Sequence, residues 1–179
     1  KQQGVEVHPE IMIPVLASEK EMSVMRELAI TKATEIQKAH GVEIPYKVGT
    51  MIELPTAALS AGEIARYAEF FSFGTNDLTQ TTLGLSRDDY TSFMPDYTLF
   101  DIIAGNPFMN LDKSVMELIA TAVRRGRLTR PELKTGLCGE HGAIPENIRF
   151  CMGVGLDYVS CSSYSVPIAL LAVAQINLE

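Results

Sequence analysis

The stretch Glu69–Gln80, which reads Glu-Phe-Phe-Ser-Phe-Gly-Thr-Asn-Asp-Leu-Thr-Gln, constrains the fold of this chain more than any other. It opens on a run of phenylalanines that is typical of a strand buried on both faces. The run ends at Gly74, a residue type that lets the backbone turn sharply or approach a ligand closely. Thr75, Asn76 and Asp77 follow at once. Parallel α/β proteins build sites from such polar clusters at strand ends, so the stretch predicts a site here.

Short apolar runs alternate with helical patterns along the whole chain. The runs predict five strands, at Ile11–Val15, Tyr46–Ile52, Phe70–Phe73, Thr135–Cys138 and Asp157–Cys161. Ser18 and Ser60 each stand three residues before a glutamate, a spacing that predicts capping boxes at two helix starts. Gly41 is expected to end the first helix. A long polar connection, from about residue 75 to residue 107, is expected to be functional or partly helical.

This alternation predicts an α/β fold of about five β/α units around a parallel sheet. Crossovers in such folds are right-handed, so the polar turns that follow the strands are expected on one rim of the sheet. A complete eight-unit barrel needs about 200 to 250 residues, so a chain of 179 residues has room for five units only. No linker rich in Pro or Gly divides the chain, and we expect a single domain over residues 1–179.

The composition excludes several classes of function. A formal net charge of −7 opposes binding to nucleic acid, whose phosphates attract clustered Lys and Arg. No apolar run approaches the roughly 20 residues of a membrane span. The three cysteines form no even disulfide framework, which indicates reduced thiols in a cytosolic type of compartment. Lys1–Gly4 has neither a Met nor the order of a secretory signal, as expected for a piece of a longer protein.

Three predicted strand ends carry reactive groups: Glu53, Asp77 and Cys138. If the sheet is parallel, all three lie on the same rim. Two carboxylates with oxygen-rich neighbours suit a hard divalent cation such as Mg²⁺ or Mn²⁺, with water and substrate oxygens completing its shell. A cation held there acts as a Lewis acid on a bound carbonyl or enolate. The pattern therefore predicts a metal-assisted site.

Each of these residues also has a simpler interpretation. Asp77 can be the N-cap of the next helix, and Glu53 can belong to an ordinary surface turn. Cys138 can be a buried, inert thiol, as strand cysteines commonly are, or a proton donor or nucleophile tuned by charged neighbours. The run Cys138–His141 can also be half of a zinc site, but Cys151 and Cys161 do not supply the matching spacing. The residues alone leave these alternatives open.

Several motifs of this chain resemble those of one known family. The stretch Glu69–Gln80 is similar to the signature of enzymes that use phosphoenolpyruvate. Cys138–Gly142, Gly155–Cys161, Ser86–Asp89 and Gly49–Glu53 are similar to motifs of the pyruvate phosphate dikinases. The motifs occur in the family's order, and the likeness extends from about residue 10 to residue 175.

This resemblance implies the carboxyl-terminal phosphoenolpyruvate- and pyruvate-binding domain, a TIM (β/α)8 barrel, of which this chain holds the later strands. Glu53 and Asp77 match the family's Mg²⁺ ligands, and Cys138 matches the acid/base that protonates the enolpyruvate methylene. Glu140 and His141 are implied to support the residues that contact substrate. Contact with substrate is implied for Glu53, Gly74, Thr75, Asn76, Asp77 and Gly139.

The resemblance also implies a reaction and partners. The family interconverts pyruvate, ATP and phosphate with phosphoenolpyruvate, AMP and pyrophosphate through a phosphohistidine, and this domain handles the pyruvate half. It implies a parent chain that adds nucleotide-binding and phosphohistidine domains and forms a homodimer. It implies a cytoplasmic location or, in a eukaryote, an organellar stroma or a glycosome-like compartment.

The chain departs from the family pattern in ways that matter for activity. The first three barrel strands and the two other domains are absent from it, so we expect the isolated chain to be inactive. Thr56, Ser165 and Leu170 stand where arginines are expected, and Ala143 stands where a glycine is expected. Two alternatives remain: a non-catalytic β/α module whose open sheet edge binds another protein, and a metal-dependent, aldolase-like lyase that acts on pyruvate.

Overall fold

A five-stranded parallel sheet organises the protein. The computed structural model describes residues 6–103 and 105–179, so Lys1–Gly4, on which the expectation of a longer parent chain partly rests, lies outside the described residues. The sheet order follows the chain order, β1-β2-β3-β4-β5, and every neighbouring pair is parallel. The strands are β1 Glu10–Ile13, β2 Lys47–Ile52, β3 Phe70–Gly74, β4 Lys134–Cys138 and β5 Tyr158–Ser160.

Helices connect all of these strands. The α-helices are α1 Glu19–His40, α2 Pro55–Leu59, α3 Ala61–Ile64, α4 Thr75–Leu83, α5 Tyr90–Leu99, α6 Lys113–Thr129, α7 Pro145–Gly153 and α8 Val166–Ile176. Two short 3-10 helices occupy Glu140–Ala143 and Ser163–Ser165. The predicted α/β class with a parallel sheet is confirmed, and consecutive strands in chain order are the arrangement of part of a TIM barrel. None of the helices in the described part of the chain has the length and apolar character of a membrane span.

The middle strand, β3, forms the centre of the core. It pairs with β2 on one side and β4 on the other, and all five of its residues are buried. Space for its rings depends on glycines: a Cβ at position 49 would lie 2.4 Å from the Phe70 carbonyl oxygen, and one at position 126 would lie 2.9 Å from the Phe71 ring. The prediction that the phenylalanine run is buried on both faces is confirmed, because helices and sheet neighbours enclose it.

The two serine capping boxes predicted from sequence have different outcomes. Ser18 caps α1 as predicted, since its hydroxyl accepts from the Glu21 N–H and the Glu21 carboxylate accepts from the Ser18 N–H. Gly41 ends this helix in the left-handed region, with φ of 60°. The box at Ser60 is wrong: this residue ends α2, and its side chain makes no capping bond to α3.

We expect Ser18→Ala to lower the free energy of unfolding by about 1 kcal/mol, because it removes a helix cap. Ser60→Ala is the matched control and is expected to change it by less than about 0.5 kcal/mol. Urea unfolding followed by circular dichroism measures both values. Equal losses in the two variants would contradict the assignment of a single capping box.

Two other sequence predictions concern the long polar connection after β3 and the end of the first strand. The long polar connection is partly helical, as expected, and contains α4 and α5. The sequence predicted that the first strand extends to Val15, but the strand ends at Ile13. Val15 has a φ of 46°, which is rare for a β-branched residue and incompatible with a strand.

Candidate functional site

The carboxyl ends of the strands form one rim, as a parallel sheet requires. Gly74 pairs in register with Cys138, and Cys138 pairs with Ser160. On the other side, Phe73 pairs with Ile52, the residue before Glu53. The structure therefore brings the candidate residues that follow β2, β3 and β4 to one edge of the sheet.

Glu53 is buried, which makes the alternative of an ordinary surface turn wrong. Glu53 is only 3% exposed, and its Oε1 accepts a 2.6 Å hydrogen bond from the Val15 N–H. Burial raises the pKa of the Glu53 carboxyl, and the neighbouring Asp77 carboxylate raises it further. The influence of Asp77 on Glu53 indicates that the two carboxylates are close neighbours.

Gly74 makes room for the Glu53 carboxylate. A Cβ at this position would lie 2.7 Å from Glu53 Oε2, 3.0 Å from Glu53 Cβ and 2.6 Å from Met51 Sδ. Its φ is −83°, so backbone freedom is not the reason for glycine here. The absence of a side chain is the requirement, because the β3 backbone and Glu53 are in close contact.

Asp77 lies in the first turn of α4 and is exposed. The alternative that it is only the N-cap is wrong, because Gly74 occupies that position and Asp77 is the third residue of the helix. Its Oδ1 accepts a 3.0 Å hydrogen bond from Gln80 Nε2. A carboxylate in a first helical turn also interacts favourably with the helix dipole.

The donor atoms at this rim suit a hard cation. Glu53 and Asp77 supply two neighbouring carboxylates, and the buried Oδ1 of Asn76 has no hydrogen-bond partner in the described part of the chain. Among residues 6–103 and 105–179, no three His, Cys, Asp or Glu side chains cluster as a ready-made metal site. Mg²⁺ is commonly bound through one or two carboxylates with water and substrate oxygens, and the residues present fit that pattern.

Cys138 is the last residue of β4 and is only partly buried. Its thiol donates a weak 3.5 Å hydrogen bond to the Phe73 carbonyl. The buried thiol of this protein is instead Cys151, where burial raises the pKa to about 12. Cys138 thus has the partial exposure that a reacting thiol needs, and Cys151 does not.

Gly139 directly follows Cys138 and has a φ of 113°, a conformation that other residue types rarely adopt. A Cβ here would lie 3.5 Å from Thr75 Oγ1 and 3.6 Å from Asn76 Nδ2. The turn after β4 therefore lies against the first turn of α4. This contact places the Cys138 end of the rim beside the polar cluster that follows β3.

The His141 side chain holds the turn after β4 in place through two buried hydrogen bonds. Its ring is fully buried, with Nε2 2.9 Å from the Pro107 carbonyl oxygen and Nδ1 2.8 Å from Thr75 Oγ1. Burial lowers the pKa of His141, so its neutral form is favoured. Because a carbonyl oxygen only accepts, Nε2 carries the proton and Nδ1 accepts from the Thr75 hydroxyl. With both nitrogens engaged, a zinc site at Cys138–His141 has no support.

Glu140 joins two segments of the rim. Its Oε2 accepts from Asn76 Nδ2 and its Oε1 accepts from Arg87 Nη2, each at 2.8 Å. The hydrogen bond from Asn76 is the main cause that lowers the pKa of Glu140 to about 2, followed by its own backbone N–H and Arg87. The contact of Arg87 with Glu140 was not foreseen from sequence, since 53 residues separate the two and no local pattern links them.

The sequence of the chain is similar to one family of known proteins. The family profile described as PEP-utilising enzyme, PEP-binding domain, matches residues 2–178. A pyruvate, phosphate dikinase from Treponema pallidum is 58% identical over all of this chain and 21% of its own length. Those from Clostridium symbiosum and Zea mays are 50% and 52% identical over 98% and 97% of the chain, and each is matched over 20% of its length. The chain thus spans about a fifth of these relatives.

Solved structures support the fold alone. A citrate lyase from Burkholderia xenovorans superposes with a TM-score of 0.60 at 13% identity, over 91% of this chain and 48% of its own. A citrate synthase superposes with a TM-score of 0.54 at 12% identity, over 98% of this chain and 64% of its own. At such low identity, these likenesses say nothing about the reaction.

Proposed function

The chain belongs to the PEP-binding domains of the PEP-utilising enzymes, and from that premise we propose that it is the pyruvate- and phosphoenolpyruvate-binding part of a pyruvate phosphate dikinase. On this proposal residues 1–179 form one domain, the carboxyl-terminal part of a barrel within a longer chain. The identity of 50 to 58% to three such dikinases, each over about a fifth of its length, supports it. The compartment and the homodimer implied by the resemblance remain predictions.

One observation carries the proposal: two neighbouring carboxylates and a partly exposed thiol meet on one rim. Asp77 lies close enough to Glu53 to raise the pKa of the Glu53 carboxyl. Cys138 pairs in register with Gly74 on the adjacent strand. An enolate needs stabilisation of negative charge on oxygen and a proton donor near carbon. The rim offers both kinds of group.

Metal binding, substrate positioning and proton transfer are assigned to different residues of the rim. Glu53 and Asp77 hold Mg²⁺, which when bound supplies electrostatic stabilisation to the developing enolate oxygen. The turn Gly74–Asn76 and Gly139 position the substrate oxygens through close backbone approach. The Cys138 thiol gives a proton to the methylene carbon of enolpyruvate, and its thiolate takes one from the methyl carbon of pyruvate in reverse. Glu140 and His141 support this arrangement through Asn76 and Thr75.

The isolated chain is expected to bind but not to turn over. On this proposal, phosphoryl transfer from ATP requires the nucleotide-binding and phosphohistidine domains of the longer enzyme, and residues 1–179 correspond to neither. A coupled assay for phosphoenolpyruvate formation is therefore expected to show no activity with this chain alone. Full turnover would refute the proposal that it is one part of a larger enzyme.

We expect Asp77→Asn to weaken the binding of oxalate in the presence of Mg²⁺ by about 10- to 100-fold, because it removes a metal-binding charge. Oxalate is the probe since it mimics the enolate of pyruvate. Isothermal titration calorimetry measures the affinity, and a titration without Mg²⁺ is expected to show no binding. Glu132→Gln is the control, because Glu132 pairs with Arg130 at the opposite end of the sheet. Unchanged affinity in Asp77→Asn would overturn the metal assignment.

A second candidate function, the non-catalytic interaction module, is favoured by a separate observation. In the described sheet, β1 and β5 each pair with a single strand, and the last helix exposes Ile168, Leu170 and Leu171 by 55 to 65%. Open edges and apolar helix faces associate readily with another chain. Wild-type protein that binds no Mg²⁺–oxalate yet self-associates in sedimentation would support this candidate. The lyase alternative gains nothing from the citrate lyase likeness, which shows the fold alone.

A further inference from the structure

Two parts of the rim that are far apart in sequence are joined by a single carboxylate. Asn76, in the first turn of α4, and Glu140, in the turn after β4, are 64 residues apart and share a 2.8 Å hydrogen bond. We propose that Glu140 is a positioning residue that holds the Asn76 amide in one orientation and thereby fixes the turn bearing Asp77 relative to the strand end bearing Cys138. Its effect on ligand binding rests on the proposed function, whereas its effect on Asn76 does not.

The orientation of the Asn76 amide follows from the chemistry of its partner. An ionised carboxylate only accepts hydrogen bonds, so Glu140 Oε2 must face the Asn76 NH₂ group. A flipped amide would place its carbonyl oxygen against the carboxylate and be repelled. In the observed orientation Oδ1 is buried and has no partner in the described part of the chain. A buried acceptor without a donor is unfavourable, and the hydrogen bond to Glu140 is the contact that favours this orientation of the amide.

Glu140 also closes a ring of contacts around α4. Its Oε1 accepts from Arg87 Nη2 at 2.8 Å, and the backbone N–H of Arg87 donates to Gln80 Oε1 at 2.7 Å. Gln80 Nε2 donates in turn to Asp77 Oδ1 at 3.0 Å. Since Asn76 and Asp77 are consecutive, the contacts return to their starting point. Both the amide and the carboxylate of this turn are therefore oriented from the Glu140–Arg87 pair.

The pair does not have the features of a strong stabilising element. Its two side chains are 46% and 49% exposed, and the Arg87 guanidinium rests 6.0 Å from the centre of the Phe108 ring. Exposed ion pairs contribute little to folding stability. A positioning role therefore makes a distinctive prediction: removing the Glu140 charge should affect the Asn76 amide and ligand affinity much more than thermal stability.

Glu140→Gln is the variant that tests this role. The Gln side chain replaces one of the two carboxylate oxygens with an NH₂ group, so that a donor faces either Asn76 Nδ2 or Arg87 Nη2 where each now meets an acceptor. In ligand-free ¹⁵N-labelled protein we expect the Asn76 side-chain amide signal to move toward the position of solvent-exposed amides, and its hydrogens to exchange faster. With Mg²⁺ present we expect the Kd for oxalate to rise by about 10-fold. Arg87→Ala is expected to weaken binding less, and Arg87→Lys to restore part of the loss by keeping a donor near Glu140.

The controls separate positioning from general damage. Glu132→Gln removes a carboxylate that also pairs with an arginine, at 3.6 Å and far from the rim, and is expected to change neither the amide signal nor the affinity. Asn76→Ala identifies the amide signal. An Asn76 signal and an oxalate affinity that are both unchanged in Glu140→Gln would overturn the inference, as would an affinity loss matched by unfolding at the temperature of measurement.

The two proposals fail separately. If the wild-type chain binds no Mg²⁺–oxalate, the proposed function is overturned. The ligand-free amide spectrum then decides the inference alone: a displaced, fast-exchanging Asn76 signal in Glu140→Gln supports the orienting role, and an unchanged signal overturns it.

Discussion

Gly74→Ala is expected to weaken Mg²⁺–oxalate binding by about 100-fold, because the added methyl group displaces a carboxylate of the proposed metal site. The added Cβ would lie 2.7 Å from Glu53 Oε2 and 2.6 Å from Met51 Sδ, so both side chains must move. Met51 can adjust by rotation, but Glu53 is held by its 2.6 Å bond from the Val15 N–H. We therefore expect a loss of about 1 to 3 kcal/mol in the free energy of unfolding and displacement of the carboxylate.

Calorimetry with oxalate and Mg²⁺ measures the first effect, and urea unfolding measures the second. Gly153→Ala is the matched control, because the added Cβ meets nothing within 4 Å beyond its own stretch of helix and the residue ends helix α7. This control is expected to keep wild-type affinity. If Gly74→Ala binds as tightly as wild type while remaining folded, Glu53 does not need its present position and the proposed site is wrong.

Cys138→Ala is expected to slow the exchange of pyruvate methyl hydrogens with solvent by about 10²- to 10⁴-fold, the usual contribution of a positioned acid or base. The measurement belongs in the full-length enzyme that carries this domain, with ¹H NMR of pyruvate in D₂O. The side chain of Cys138 contacts the Phe73 carbonyl, whereas Glu53 is held by Val15, so the variant should retain Mg²⁺–oxalate binding. Slow exchange with intact binding is the signature of a lost proton-transfer group.

Cys161→Ala provides the comparison, since Cys161 is also a partly buried free thiol and directly follows β5. It is expected to leave methyl exchange at the wild-type rate. Unchanged exchange in Cys138→Ala would remove the thiol from the mechanism and transfer the acid/base role to another group. A loss of exchange in both variants would indicate damage to the rim and not a specific proton transfer.

Much of the fold was predictable because its signals are local. The phenylalanine run, the Ser18 capping box and Gly41 each act within a few residues, so they specify a buried strand and the two ends of a helix by themselves. The Ser60 box failed although its spacing is the same. Ser60 ends α2 and also precedes α3, but its backbone (φ −99°, ψ 15°) lacks the extended conformation of a capping residue, and its hydroxyl makes no capping bond.

The sequence predicted which residues belong to the candidate site but not which of them are buried. The identities of Glu53, Asp77 and Cys138 and their places after strands are properties of the sequence, and a parallel sheet brings such residues to one rim. Which carboxylate is buried was not predictable. Glu53 becomes the buried one because Gly74 and Val15 surround it, and Val15 is 38 residues away in the chain.

The sequence by itself determined the β/α order, the residues at the strand ends and the resemblance to the PEP-utilising enzymes. Only the tertiary structure decided the pKa shifts and the supporting contacts. These are the raised pKa of Glu53, the lowered pKa of His141 and the hydrogen bond from Asn76 to Glu140. The physical reason is separation. Burial and hydrogen bonding at this rim join residues 38 to 66 positions apart, and no pattern within a single helix or strand encodes such pairs.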